Sequence, residues 1–110
     1  RKKAGLTELT WDDTVATAAM TRSKEIEKSF SHTRPDGRNF GTAITDLGIT
    51  YRGAGENIAW GQKTPEAVMN AWMNSEGHRA NILNPNFKKL GVGYRTDSQR
   101  TPYWTQLFTY

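Results

Sequence analysis

At 110 residues and 12.4 kDa the chain has room for one domain, because single cores run to roughly 100–200 residues and a chain of this size buries about two-thirds of its unfolded surface. Hydrophobic residues at 35% and charged residues at 24% exclude a disordered chain; no apolar run approaches the span of about 18 residues that crosses a bilayer, and zero cysteines exclude disulfides, thiol nucleophiles and thiolate zinc sites. The net charge of +4 and pI near 9.6 are high enough to raise nucleic acid as a partner, but outside Arg1-Lys2-Lys3 and Lys88-Lys89 the basic residues alternate with acids, so no nucleic-acid partner is expected.

The chain opens at Arg1 with no leader pattern, as expected of a processed or excised piece, and a single domain over 1–110 that is stable as a monomer is expected. Thr10 followed by Asp12 and Asp13 marks a helix start. Val15, Ala18, Ala19, Arg22, Ile26 and Phe30 recur at helical spacing, which predicts a helix over 11–29. Within it Arg22, Lys24, Glu25, Glu27 and Lys28 read as a solvated face laced by the pairs Arg22–Glu25 and Lys24–Glu27. A shorter helix is expected between Asp36 and Leu47, ended by Gly48. Ile58 and Trp60 after Gly53-Ala54-Gly55 predict a strand.

Thr64-Pro65-Glu66 supplies a capping hydroxyl, a proline at the first helical position and an acid against the dipole, with Ala67, Val68, Ala71 and Trp72 on one face. A second helix is predicted from there to about Ser75, with Gly77 separating it from a short one. Leu90, Val92 and Tyr94 alternate with glycine, and Tyr103–Tyr110 is aromatic and β-branched, which predicts an antiparallel pair joined through Asp97–Pro102. Helices and strands interspersed with a terminal β pair argue for an α+β sandwich over a doubly wound sheet. Gly91-Val92-Gly93 lacks the third glycine and following helix of a dinucleotide fingerprint. Trp60, Trp72, Tyr103 and Trp104 read as core and sheet-face packing.

The chemistry gathers at two histidines. His32 follows Phe30-Ser31 where the first helix gives way to a loop, and His78 lies in Ser75-Glu76-Gly77-His78-Arg79. Glu56 enters the first long strand after two glycines, a place where a carboxylate needs a partner, for which imidazole is the obvious candidate. Two imidazoles and a carboxylate match the ligands of zinc and other divalent ions. By spacing alone each histidine is more often a structural residue than a ligand. His-Glu-x-x-His and Gly-x-Ser-x-Gly are both absent, which excludes a helical zinc-protease motif and a serine nucleophile elbow.

Phe30-Ser31-His32, Gly55-Glu56-Asn57-Ile58-Ala59-Trp60, the run from Trp72 to Leu83 and Leu90-Gly91-Val92-Gly93-Tyr94 together resemble the CAP superfamily, the SCP-like domain of cysteine-rich secretory, antigen-five and pathogenesis-related proteins, in its bacterial form. The resemblance covers nearly the whole chain. It implies a three-layer α-β-α sandwich with a central antiparallel sheet, lacking part of the family's first helix, and a large cleft. It also implies a divalent cation, zinc first, held by His32, Glu56 and His78, with Ser75 or Glu76 at the family's second glutamate position. Asn57, Trp72 and Arg79 belong to the same stretches and are expected along the cleft. The domain is thus expected to be secreted or extracytoplasmic and associated with the cell envelope. A non-catalytic binding role, with a lipid or envelope component as further ligand, is the first reading. The alternative is a metal-assisted hydrolase with Glu56 or Glu76 as general base.

Overall fold

The computed structural model describes residues 1–110 apart from the side chain of Lys2. After a 3₁₀ turn over Lys2–Ala4 come β1 (Thr10–Trp11), α1 (Asp13–Lys28), α2 (Thr42–Thr45), β2 (Ala54–Trp60), α3 (Pro65–Met73), α4 (Glu76–Ile82), β3 (Lys89–Thr96) and β4 (Pro102–Thr109). The strands form one sheet in the order β1-β3-β4-β2. β4 pairs antiparallel with β3 and with β2, whereas the two residues of β1 run parallel to Lys89 and Leu90. Helices cover both faces, so the molecule is an α-β-α sandwich.

Local chemistry sets the element ends. The first helix starts two residues later than Thr10 suggests, because the Asp12 carboxylate is the cap, accepting from the Thr14 and Val15 N–H groups at 2.9 and 3.0 Å. Thr10 is drawn instead into the sheet edge, donating its N–H to the Lys88 carbonyl. α3 begins as predicted, with Thr64 Oγ1 accepting from Ala67 N–H and Pro65 at the start. It stops at Met73 rather than Ser75, since Asn74 leaves helical geometry and Ser75 is extended as the lead residue of α4. The break therefore falls before Gly77, which lies inside α4. The helix expected between Asp36 and Leu47 contracts to a single turn, and Gly48 follows it at φ +86°.

Alternation along β4 divides the core. Leu107 packs with Val15, Ala18, Ala19, Ala43 and Ile44 on the α1–α2 side. Trp104 and Phe108 pack with Ala59, Val68, Trp72, Ile82 and Phe87 on the α3–α4 side. α1 lies directly on the backbone of β3: a methyl group at Gly91 would fall on the Ala16 backbone, and one at Gly93 on the Ala19 carbonyl. The glycines that alternate with Leu90, Val92 and Tyr94 are thus the bed of the helix.

Two sequence expectations are corrected here. Arg22 is completely buried, so the Arg22–Glu25 pair is part of an interior network and not of a solvated face. Trp60, 57% exposed, is a rim residue, whereas Trp72 and Trp104 are core. No helix is long and apolar enough to cross a membrane among the described residues.

Gly93→Ala should force α1 off the sheet and cost about 1–3 kcal/mol, the range of overpacked cores, and Asp12→Ala about 1 kcal/mol through the lost cap. Urea denaturation of the two variants checks both values. Equal midpoints for Gly93→Ala and the parent would contradict the close helix–sheet contact.

Candidate functional site

β2 is an edge strand, and its register decides what faces where. Glu56 stands opposite Leu107, on the α1 side, and Asn57 opposite Gln106, on the α3–α4 side. Glu56 is thereby carried into the interior, with its side chain fully buried. The residue that compensates it is Arg22, one helical step from Ala18 and Ala19 on the inner stripe of α1. Its Nε donates to Glu56 Oε2 at 2.6 Å and its Nη2 to Oε1 at 3.0 Å, the bidentate geometry that best offsets desolvation of both charges.

The same guanidinium holds the loop after α1. Arg22 Nη2 also donates to the Ser31 carbonyl at 2.5 Å, and Nη1 to Glu25 Oε1 at 2.9 Å. This fixes the backbone beside His32, whose Nδ1 lies 2.8 Å from Glu56 Oε1. Because both Glu56 oxygens accept from Arg22, Nδ1 is the donor in that contact. The neutral His32 ring therefore carries its free lone pair on Nε2.

His78 arrives from the other side of the sheet. Its ring rides on α4, which Asn57 anchors by donating Nδ2 to the His78 carbonyl at 3.0 Å. Asn81 Nδ2 donates to Asn57 Oδ1 at 2.9 Å and to the Glu56 carbonyl at 3.2 Å. His78 Nδ1 lies 2.9 Å from Ser75 Oγ. Burial, with repulsion from His32 whenever that ring is protonated adding to it, holds the His78 imidazole below its ordinary value. The ring is neutral at pH 7.

Between these two sides lies an open cleft of about 380 Å³ that takes in His32, Ser75 and His78, with Phe30, Trp60 and Trp72 among its apolar walls. The cleft straddles the free edge of β2. It brings together His32, His78, Ser75 and Trp72 of the expected residues, and places Glu56 behind His32 and Asn57 beneath α4. Glu76 and Arg79 are elsewhere, in a separate hollow with Met73, Asn74, Ala80 and Leu83. Glu76, Arg79, Ala80 and Leu83 recur at helical spacing and so share one face of α4, whereas His78 stands on another. Among the described residues no three side chains of His, Asp or Glu come together as a metal-holding group.

Arg22 is the functional residue that sequence reasoning did not assign. The signal was present: an arginine at an apolar position of a helical repeat requires an interior acid. Gln62, whose backbone carbonyl accepts from Trp104 Nε1 at 2.8 Å, is a second unassigned cleft residue.

From Glu25 the charges continue outward. Arg34 donates to both Glu25 oxygens and to Asp46, and Arg38 bridges Asp46 and Asp36. Burial raises the Glu25 carboxyl, and hydrogen bonds from Arg34 and Arg22 more than reverse this, leaving it below its ordinary value of 4.5.

The sandwich thus carries two histidines at its cleft and a buried Glu-Asn pair on its edge strand. The chain belongs to the CAP, or cysteine-rich secretory protein, family, whose model matches residues 1–108. It is 47% identical over 110 residues to the uncharacterized protein YkwD of Bacillus subtilis, a match that takes in 98% of this chain and 42% of that protein. In structure it is similar to an extracellular SCP-domain protein of Bacillus anthracis, with TM-score 0.90 and 35% identity over 99% of this chain and 36% of that one. It also resembles an outer surface protein of Borrelia burgdorferi, with TM-score 0.89 and 25% identity over 99% of this chain and 82% of that one. The chain thus spans well under half of the two Bacillus proteins.

Replacing Arg22 by Leu leaves the Glu56 charge buried without its cation and should cost about 3–5 kcal/mol; Arg22→Leu with Glu56→Leu should recover much of that. Denaturant titration of the single and double variants measures the coupling. Because Glu25 is more acidic folded than unfolded, its contribution is full above about pH 4.5 and is lost as the pH falls through its folded value. Glu25→Gln should flatten the fall in stability on acidification below its ordinary value of 4.5, as followed by thermal melts across the acid range.

Proposed function

We propose that this chain is a non-catalytic binding domain of the secreted or cell-envelope type, whose cleft takes a divalent cation, zinc first, between His32 and His78. The observation that carries the reading is the shared state of the two rings. Each has Nδ1 engaged by an oxygen of the domain, Glu56 Oε1 for His32 and Ser75 Oγ for His78, and each lines the same cleft. On His32 the carboxylate makes Nδ1 the donor and leaves Nε2 as the ligand atom; on His78, Nε2 takes the same role when Nδ1 donates to Ser75 Oγ, so the carboxylate orients a ligand instead of binding the ion directly. Glu56 suits this supporting role, since Arg22 already donates to both of its oxygens. Water or an organic ligand would complete the coordination. A bound ion there would act as a Lewis acid or as a bridge to an anionic group.

Family membership supports a binding role, and the extracellular and outer-surface relatives support the location. A lipid or envelope component is the further ligand of this reading. The hydrolase reading requires a free carboxylate base in the cleft, and neither candidate meets it: Glu56 is committed to Arg22 and His32, and Glu76 faces the other hollow.

Zinc calorimetry should give a one-site isotherm with the parent domain and none with His32→Ala plus His78→Ala. Glu56→Gln, in a fold shown intact by circular dichroism, should weaken the affinity about 10–100-fold by releasing the His32 ring. Affinity should fall in acid, where protons compete with the ion for imidazole. Identical heats in the parent and the double-histidine variant would reject the site.

A further inference from the structure

The edge of β2 carries chemistry that the histidines do not use. Gly53 and Tyr110 exchange both backbone hydrogen bonds, and Gly61 N–H donates to the Pro102 carbonyl. In an antiparallel pair this fixes the parity: the odd-numbered residues of β2 bond to β4, and the N–H and C=O groups of Glu56, Ile58 and Trp60 point away from the sheet. Two of these outward carbonyls are capped from the α3–α4 side. Asn81 Nδ2 donates to the Glu56 carbonyl, and Trp72 Nε1 donates to that of Ile58 at 3.3 Å. The outward N–H groups of Ile58 and Trp60 have no acceptor among the described residues, and both residues line the cleft. Gln62 Oε1, buried at the same cleft, has no donor. A buried polar atom such as Gln62 Oε1 is nearly always paired, and the outward N–H groups of a free sheet edge are a template for the acceptors of another strand.

We infer that the cleft binds an extended peptide segment, added along the free edge of β2 with its carbonyls on the Ile58 and Trp60 N–H groups and an amide N–H on Gln62 Oε1. The required ligand has acceptors about 7 Å apart, the repeat of alternate residues in a strand, and at least one donor. A peptide main chain has both, whereas a hydrocarbon tail has neither. Side chains opposite Ile58 and Trp60 lean to the α1 side, toward Phe30, so apolar residues at alternate positions of the peptide are favoured. A volume of about 380 Å³ suits a few residues and not a domain, as in other strand-addition sites where main-chain bonds give affinity and alternate pockets give specificity. The inference shares the cleft of the proposed function but needs no ion.

The test uses the ¹⁵N-labelled domain in EDTA, titrated with acetyl-Ser-Val-Ser-Leu-Ser-amide and with acetyl-Ser-Val-Leu-Ser-Ser-amide, which has the same composition without the alternation. The alternating peptide should move the Ile58 and Trp60 amide resonances downfield, slow their hydrogen exchange and perturb Trp60 fluorescence, binding about tenfold tighter than the other. Gln62→Leu, which removes one hydrogen bond, should weaken it about 3–10-fold. Ile58 and Trp60 amides that stay in place at millimolar peptide, or equal affinity for the two peptides, would overturn the inference. So would amide shifts that phosphatidylglycerol vesicles produce and peptide does not. Failure of the zinc titration with peptide binding intact sinks the cation reading alone, and the converse result sinks this one alone.

Discussion

The buried pair of Arg22 and Glu56 is the constraint on which the site depends. A carboxylate on an edge strand and a guanidinium on the inner face of a helix are each costly to desolvate, and neither position is tolerable without the other. Once paired, they do more than cancel charge. Arg22 ties α1 to β2, holds the carbonyl of Ser31, and engages the Glu56 oxygens so that His32 meets a fixed acceptor. The orientation of the His32 ring is thus a consequence of an interaction made in the interior.

That pair needs α1 at one height above the sheet, and the glycines of β3 supply it. With no side chain at Gly91 or Gly93 the helix backbone settles onto the strand, which brings position 22 within reach of position 56. On the opposite face, Asn57 and Asn81 do the corresponding work with neutral amides, suspending α4 from β2 so that His78 is carried to the cleft. Adjacent residues of one strand, Glu56 and Asn57, therefore organise the two walls separately, because their side chains point to opposite faces of the sheet.

Much of this was legible in the chain itself. The capping of α3 by Thr64 and Pro65 and the terminal β pair follow from local chemistry, and the structure has them, while the short helix ends at Thr45, three residues before the left-handed Gly48. What local patterns could not supply were the long-range partners. Nothing near Arg22 in sequence indicates Glu56, 34 positions away, so its charge pattern with Lys24 and Glu25 reads as surface. Likewise β1 is two residues long and exists only because Lys88 and Leu90 offer carbonyls to Thr10 and Asp12. The family resemblance puts Glu76 and Arg79 along the cleft, but the two share the face of α4 that looks away from His78, and a motif read residue by residue does not show which face a side chain takes.

The central strand of the sheet, β4, is also the last element in chain order. β2 and β3 have no ladder with each other and meet only through it. During synthesis, then, β2 has no strand partner until residues 102–109 have emerged, and while β4 can fold back on β3 as a hairpin, its ladder to β2 closes over a long stretch of chain. A chain interrupted before Pro102 would lack the hub that joins the two halves, and would offer two bare strand edges to any passing protein instead of one folded domain.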